Sequence, residues 1–300
     1  MQDFVQHLIN GVGLGSIYAL IALGYTMVYG ILKMINFAHS DVYMVGAFSA
    51  YYVARWFGIE THPGLGTLIL LLCTSMFFCS ILGLLIERLA YRPLRHAPKL
   101  NILITAIGVS LLLEYGGQVV FGADPKVFPD VMNDVVIFSL GGVDLKSSDV
   151  TVLIVSLLAM LGLQFLIYRT KLGKAMRAVS SNSAVASLMG INPNRIIAFT
   201  FIVGSALAGV GSVLVGMKYP KIDPLMGMMI GLKAFVAAVL GGIGNIGGAV
   251  LGAMIMGLSE EFVVTYLSST YRDALAFGIL IVILIFKPAG LLGKYSVEKV

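Results

Sequence analysis

Seven runs of this sequence carry no charged side chain: 8–32, 64–86, 100–113, 150–168, 196–217, 234–259 and 274–286. A hydrocarbon core about 30 Å thick takes roughly 20 apolar helical residues to cross, and several of these runs are long enough. Only 12% of the 300 residues are charged, against about a quarter in a typical soluble domain. The fold class expected is all-α, a polytopic membrane helical bundle forming one transmembrane domain over 1–300. The first run follows only Asp3 and His7 and spans 25 residues, too long for a signal-peptide core, so it is expected to remain as a helix.

The net charge of +5 does not mark a nucleic-acid surface, because its distribution follows membrane topology. Segment 87–99 holds Arg88, Arg92, Arg95 and Lys99 against Glu87, and 169–195 holds Arg169, Lys171, Lys174, Arg177 and Arg195 without an acid. Segment 122–149 reverses the balance, with Asp124, Asp130, Asp134, Asp144 and Asp149 against Lys126 and Lys146. The positive-inside rule places the first two in the cytoplasm and makes 122–149 an extracytoplasmic loop. It follows that 55–63 and the N-terminus lie outside and Lys33 inside. Lys287, Lys294 and Lys299 against Glu298 place the C-terminus inside.

Two stretches do not fit simple spans. Asn36, His39 and Asp41 leave only 42–54 of the second segment cleanly apolar. The second is GGIGNIGG at 241–248, inside the longest run. Either 225–240 and 249–268 are separate passes joined by the glycines, or one stretch is re-entrant, giving about eight or nine membrane segments. Broken backbone survives in a bilayer only where protein or a wet cavity covers it, and Gly-interrupted segments point to a transport path. Gly241, Gly244, Gly248 and Gly252 recur at spacings of three or four, which equally suits close helix packing. Gly242, Gly244 and Gly247 also match G-x-G-x-x-G, but a phosphate-binding loop needs a preceding strand, and none is indicated.

A charge in the bilayer interior costs at least ~2.5 kcal/mol, so it faces the bundle or a wet cavity. On that ground Asn36, His39, Asp41, Glu114, Lys233, Gly244 and Asn245 are the candidate substrate path. Lys233 and Glu114 have opposite charge and can pair. The blander expectation is that Lys233 snorkels, and that Glu114, Glu260 and Glu261 sit shallowly near the outer surface. Cys73 and Cys79 lie six apart on different helix faces, as packing or lipid-facing residues rather than a disulfide or metal site. No GxSxG, HExxH or G-x-x-x-x-G-K-[ST] motif occurs, so no catalytic set, metal site or cofactor is expected in this chain. If the chain takes part in ATP-driven work, another chain binds and hydrolyses the ATP.

The cytoplasmic segment 169–195 ends in SSNSAVASLMGINPNR. Ser181 or Asn182 can cap a helix starting near Ser183, Gly190 suits the left-handed position past its end, and Pro193 prevents continuation. About two turns result, with Ala184, Val185, Leu188 and Met189 on one side. So short a helix is marginal alone. Its apolar side suits the membrane interface or, with no aromatic anchor, a groove on a cytoplasmic partner.

This segment resembles the coupling loop of ABC-importer permeases, whose short helix docks on the ATPase subunit. The family pattern is Glu-Ala-Ala, three residues, then Gly; here Ala184, Val185 and Ala186 precede Gly190 and the acid is missing. The stretches INFAHSDVYMVGAF (35–48), ERLAYRPLR (87–95), LMGINPNRIIAFTFIVGSALAG (188–209), GLKAFVAAVLGGIGNIGGAVLG (231–252) and FKPAGLLG (286–293) resemble the first permease subunit of branched-chain amino-acid importers. Ser40-Asp41 stands where that family commonly has Gly-Glu. The resemblance implies a second permease subunit, two cytoplasmic ATPase subunits, an extracytoplasmic substrate-binding protein and a bacterial inner-membrane location. It assigns ATPase docking to Arg177, Ala184, Val185, Ala186, Leu188, Met189 and Gly190. Relatives that carry urea or short amides are one alternative. A secondary transporter or channel coupled through Asp41, His39 or Glu114 is another. An intramembrane enzyme using His39 and nearby serines is a third.

Overall fold

The computed structural model describes residues 2–59, 63–95, 97–140 and 143–293; the terminal charges Lys294, Glu298 and Lys299 lie outside them. Helix α1 (Gln2–Leu32) is apolar on every side, the pattern of a helix surrounded by others. Ile17 through Leu23 are accordingly all buried. Around it stand α2 (His39–Trp56), α3 (Leu65–Ile86), a π turn (Glu87–Tyr91) running into α4 (Arg92–Leu94), and α5 (Lys99–Phe121). Then come α6 (Ser147–Arg169), the short helices α7 (Lys171–Ser181) and α8 (Ser183–Leu188), and α9 (Pro193–Lys218). The chain closes with α10 (Met226–Gly241), α11 (Ile246–Tyr266) and α12 (Arg272–Phe286).

Among the described residues seven helices are long and apolar enough to cross a membrane. Two shorter ones, α2 with 18 residues and α10 with 16, complete an alternating path of nine membrane segments. Contacts between the connections agree with that alternation. At the end of the bundle that the charge distribution assigns to the outside, β1 (Lys126–Val127) pairs antiparallel with β4 (Lys221–Ile222), and Gly64 N–H donates to the Val131 carbonyl at 2.9 Å. The outer loop also forms a hairpin of β2 (Val136–Leu140) and β3 (Val143–Lys146), where Asp144 N–H donates to Gln6 Oε1 at 2.9 Å. On the inner side Ser180 Oγ donates to the Gly30 carbonyl at 2.5 Å, and Arg95 donates to Asn194 Oδ1 at 2.5 Å. No connection is asked to touch one on the opposite face.

GGIGNIGG is a tight inner turn. α10 stops at Gly241 and α11 starts at Ile246, so the glycines line two facing helices rather than one helical face. Gly242 (φ 107°) and Gly244 (φ 94°) adopt backbone that residues with a side chain rarely tolerate. Asn245 caps α11 by accepting from Gly248 N–H at 3.2 Å and donates to the Leu292 carbonyl at 2.9 Å. The segment after α12 closes over the turn, with Leu291 N–H on the Leu240 carbonyl (2.8 Å) and Leu292 N–H on Gly241 (3.0 Å). That strap satisfies carbonyls that the end of α10 leaves unpaired.

α5, α6 and α12 stand at the periphery and expose large apolar side chains, among them Leu112, Val119, Phe165 and Phe286. Such faces suit lipid or another membrane subunit.

Candidate functional site

The second segment enters the bilayer late. α1 ends at Leu32, Lys33 takes a left-handed turn (φ 56°), and residues 34–38 run back towards the centre before α2 begins at His39. Tyr91 Oη, on the π turn, donates to Asn36 Oδ1 at 3.0 Å and fixes this return. His39 then packs on Gly24, where a Cβ would lie 2.1 Å from Nε2, and against Tyr25 with ring centroids 4.8 Å apart. Gly24 lies eight residues before the end of α1, so α2 starts inside the bundle. Short, interrupted helices of this kind are where transporters place polar groups.

Two polar clusters follow. In the first, Asp41 is fully buried, and its Oδ2 accepts from Ser110 Oγ at 2.5 Å. The Glu114 carboxyl neighbours it and is itself buried, seven residues before the outer end of α5. A cavity of about 200 Å³ opens between α5 and α10, with Glu114, Ser110, Ser40 and Tyr25 on its polar side. Of the three acid–base groups Glu114 lines this space, Asp41 sits behind Ser110, and His39 packs beside Tyr25.

Lys233 belongs to the second cluster. Its Nζ lies 3.0 Å from Glu260 Oε1 and 2.8 Å from Asp273 Oδ1, while Arg272 Nε lies 3.1 Å from Glu260 Oε1. Tyr18 Oη donates to Glu260 Oε2 at 2.9 Å. These groups line an outer cavity of about 320 Å³ between α1, α9, α10 and α12. The pairing of Lys233 with Glu114 is therefore corrected, and Glu260, expected to be shallow, is 1% exposed. Depth is the signal that finds the partner. Lys233 lies seven residues inside the outer end of α10, Glu260 six inside that of α11, and the two helices are antiparallel neighbours. Tyr18, Arg272 and Asp273 offer no comparable signal, since each stands in an ordinary apolar or interfacial context. Gly244 and Asn245 lie at the inner turn, apart from both clusters.

Without Lys233, Glu260 keeps Arg272 and Tyr18 and loses one charged hydrogen bond, worth about 1.5–3 kcal/mol. Lys233→Met is expected to destabilise the protein by about 2 kcal/mol, with partial recovery in Lys233→Met/Glu260→Gln. Thermal unfolding in detergent checks this, and an unchanged Tm for the single variant would contradict the account.

The end of the bundle at α7 and α8 carries the third feature. Thr170 caps α7 by accepting from Gly173 N–H at 3.0 Å, and Met176 and Val179 anchor α7 to the bundle. Asn182 caps α8, accepting from Ala184 N–H (3.0 Å) and Val185 N–H (3.1 Å). Gly190, at φ 82°, ends it. Leu188 is 87% exposed and Met189 78%, beside half-exposed Val185. Ala186 is buried against the bundle, so it cannot meet a partner as expected. Arg177 donates to the Ile167 carbonyl and lies over the Tyr168 ring at 5.6 Å; it braces the α6–α7 bend. An open groove of about 720 Å³ runs beside α8, lined by Ile31, Leu32, Met34, Arg95, Ser181 and Pro193 among others.

Comparison with known proteins bears on these features together. A family described as the branched-chain amino acid transport system permease component matches residues 7–284. The chain is 44% identical to the high-affinity branched-chain amino acid transport system permease protein BraD of Pseudomonas aeruginosa, over 99% of this chain and 98% of that one. It is 43% identical to the corresponding permease protein LivH of Escherichia coli, with the same coverage. A probable branched-chain amino acid transport permease protein LivH of Methanocaldococcus jannaschii is 31% identical, over 95% of this chain and 89% of that one.

Proposed function

The chain belongs to the branched-chain amino acid permease family, and from that premise we propose that it is the membrane subunit of an ATP-driven importer of leucine, isoleucine and valine. The observation that carries this reading is α8, a capped helix that presents Leu188 and Met189 to the cytoplasm beside an open groove. Burying two such side chains is worth about 1.5–3 kcal/mol each, and the protein itself leaves them uncovered. An ATPase subunit is the partner that would cover them, and ATP would be bound there rather than in this chain.

The remaining parts have complementary roles. A second permease subunit would cover apolar faces of the peripheral helices. A substrate-binding protein would dock on the acidic outer loop 122–149. Asn36, His39, Asp41 and Glu114 would lie on the path, with Lys233 nearer its outer mouth and Gly244 and Asn245 at its inner end. The bacterial cytoplasmic membrane is the location this assembly requires. Affinity purification of the chain from its native membrane tests the reading. Two nucleotide-binding chains and a second permease are expected to co-purify, and recovery of the chain as a lone homo-oligomer would contradict it.

A further inference from the structure

We propose that the cavity between α5 and α10 is a transit site for the zwitterionic amino acid, in which Glu114 receives the α-ammonium group and an apolar wall receives the branched side chain. This rests on the importer reading above and adds to it where, and by which chemistry, the permease holds its cargo.

Three features of the cavity select that ligand. The first is charge. Glu114 lines it and Asp41 lies immediately behind Ser110, while Lys233 is turned away to Glu260 and Asp273. The ionisable groups around it are Tyr25 from α1, His39 and Asp41 from α2, and Glu114 from α5; α10 contributes none. Among the described residues His39 Nε2 has no hydrogen-bond partner. Two neighbouring carboxyls with no lysine or arginine beside them favour a ligand that brings its own cationic N–H donors, since buried charge is otherwise costly. An ammonium group supplies them.

The second feature is the opposite wall. Ile107 and Leu111 from α5 face Met228, Leu232 and Phe235 from α10 across the cavity, and such a surface recognises a branched hydrocarbon without directional bonds. The third is size and polarity at the remaining edge. At about 200 Å³ the space falls below the roughly 300–1,000 Å³ usual for drug-sized ligands, and so suits one small amino acid. The Ser40 and Tyr25 hydroxyls border the edge where α2 begins, and the positive end of that helix favours a carboxylate. The ligand's two charged ends therefore meet different protein groups.

The test uses the complete transporter in proteoliposomes, with partner subunits and binding protein present. Removing a charged hydrogen-bonding partner corresponds to about tenfold or more, so Glu114→Gln is expected to cut leucine uptake about tenfold further than it cuts ATP hydrolysis. A second measurement asks whether ligand occupies the cavity. In a Cys73→Ala background, Leu111→Cys is labelled with a small thiol reagent, Cys79 being buried. Leucine and isopentylamine, which carry the ammonium group, are expected to slow labelling, and 4-methylpentanoate, which lacks it, is not. Protection by none of the three, or by 4-methylpentanoate as strongly as by leucine, would overturn the site. So would leucine uptake by Glu114→Gln in the unmodified ratio to ATP hydrolysis. Absence of ATP-dependent uptake by the unaltered transporter would instead overturn the importer reading itself.

Discussion

Leu188→Asp combined with Met189→Asp is expected to abolish ATP-driven uptake and to release the ATPase subunits from the membrane complex, while the permease remains folded. Both side chains are almost fully exposed, so charging them costs the isolated protein little. Leu188 ends α8 and Met189 is its C-cap, so the two acids oppose the helix dipole at a cost of about 0.3–1 kcal/mol each, too little to unfold the bundle. At a docked interface the same changes desolvate two carboxylates, which a groove built for apolar side chains cannot pair. Asn182, which caps α8, and Ala186, which fixes it to the bundle, are left in place. Size-exclusion chromatography with quantification of bound ATPase subunits reads the outcome. Full retention of those subunits with full uptake would show that α8 is not the contact.

A large effect on folding is expected at Gly257, on the seam between α1 and α11. A Cβ there would fall 2.3 Å from Gly15 N, 2.4 Å from Gly15 Cα and 2.7 Å from the Gly11 carbonyl. All three are backbone atoms of α1, so no rotamer change relieves the clash. Membrane helices lack the hydrophobic drive that water supplies and associate through close van der Waals packing instead. The α1–α11 contact is the broadest in the bundle, and wedging it open removes packing along its length. Gly257→Val should therefore cost about 3 kcal/mol or more, read as loss of monodisperse protein and a large fall in Tm. Gly116→Ala is the matched control, because nothing lies within 4 Å of the added carbon. Equal behaviour of the two variants would refute the packing argument.

How far the sequence alone carries can be judged from particular residues. The uncharged runs and the two weak spans were legible, because bilayer thickness acts on sequence directly. The helix 183–188 was legible too, since Asn182, Gly190 and Pro193 are local signals with local consequences. The pairing of Lys233 was not, because it depends on which helices are neighbours, and α10, α11 and α12 could be arranged in several ways around α1. Ala186 failed for a related reason. On a two-turn helix every residue lies close to both faces, and the bundle beneath decides which one is covered. Of the path residues, only Glu114 lines the cavity between α5 and α10, and the late start of α2 brings Asp41 behind its Ser110 wall and His39 beside its Tyr25. Gly244 and Asn245 drew notice as a break in a hydrophobic run, and in the structure they form a turn held by the chain's own C-terminal strap.

The central claim, that this chain conducts branched-chain amino acids at the expense of ATP hydrolysed by partner subunits, has a direct measurement. Radiolabelled leucine uptake is followed in proteoliposomes holding the whole complex, with ATP inside and binding protein outside, with and without a protonophore. The account predicts uptake that requires ATP and binding protein together and is insensitive to collapse of the proton gradient. Uptake driven by a proton gradient alone, without ATP and abolished by Asp41→Asn, would contradict it.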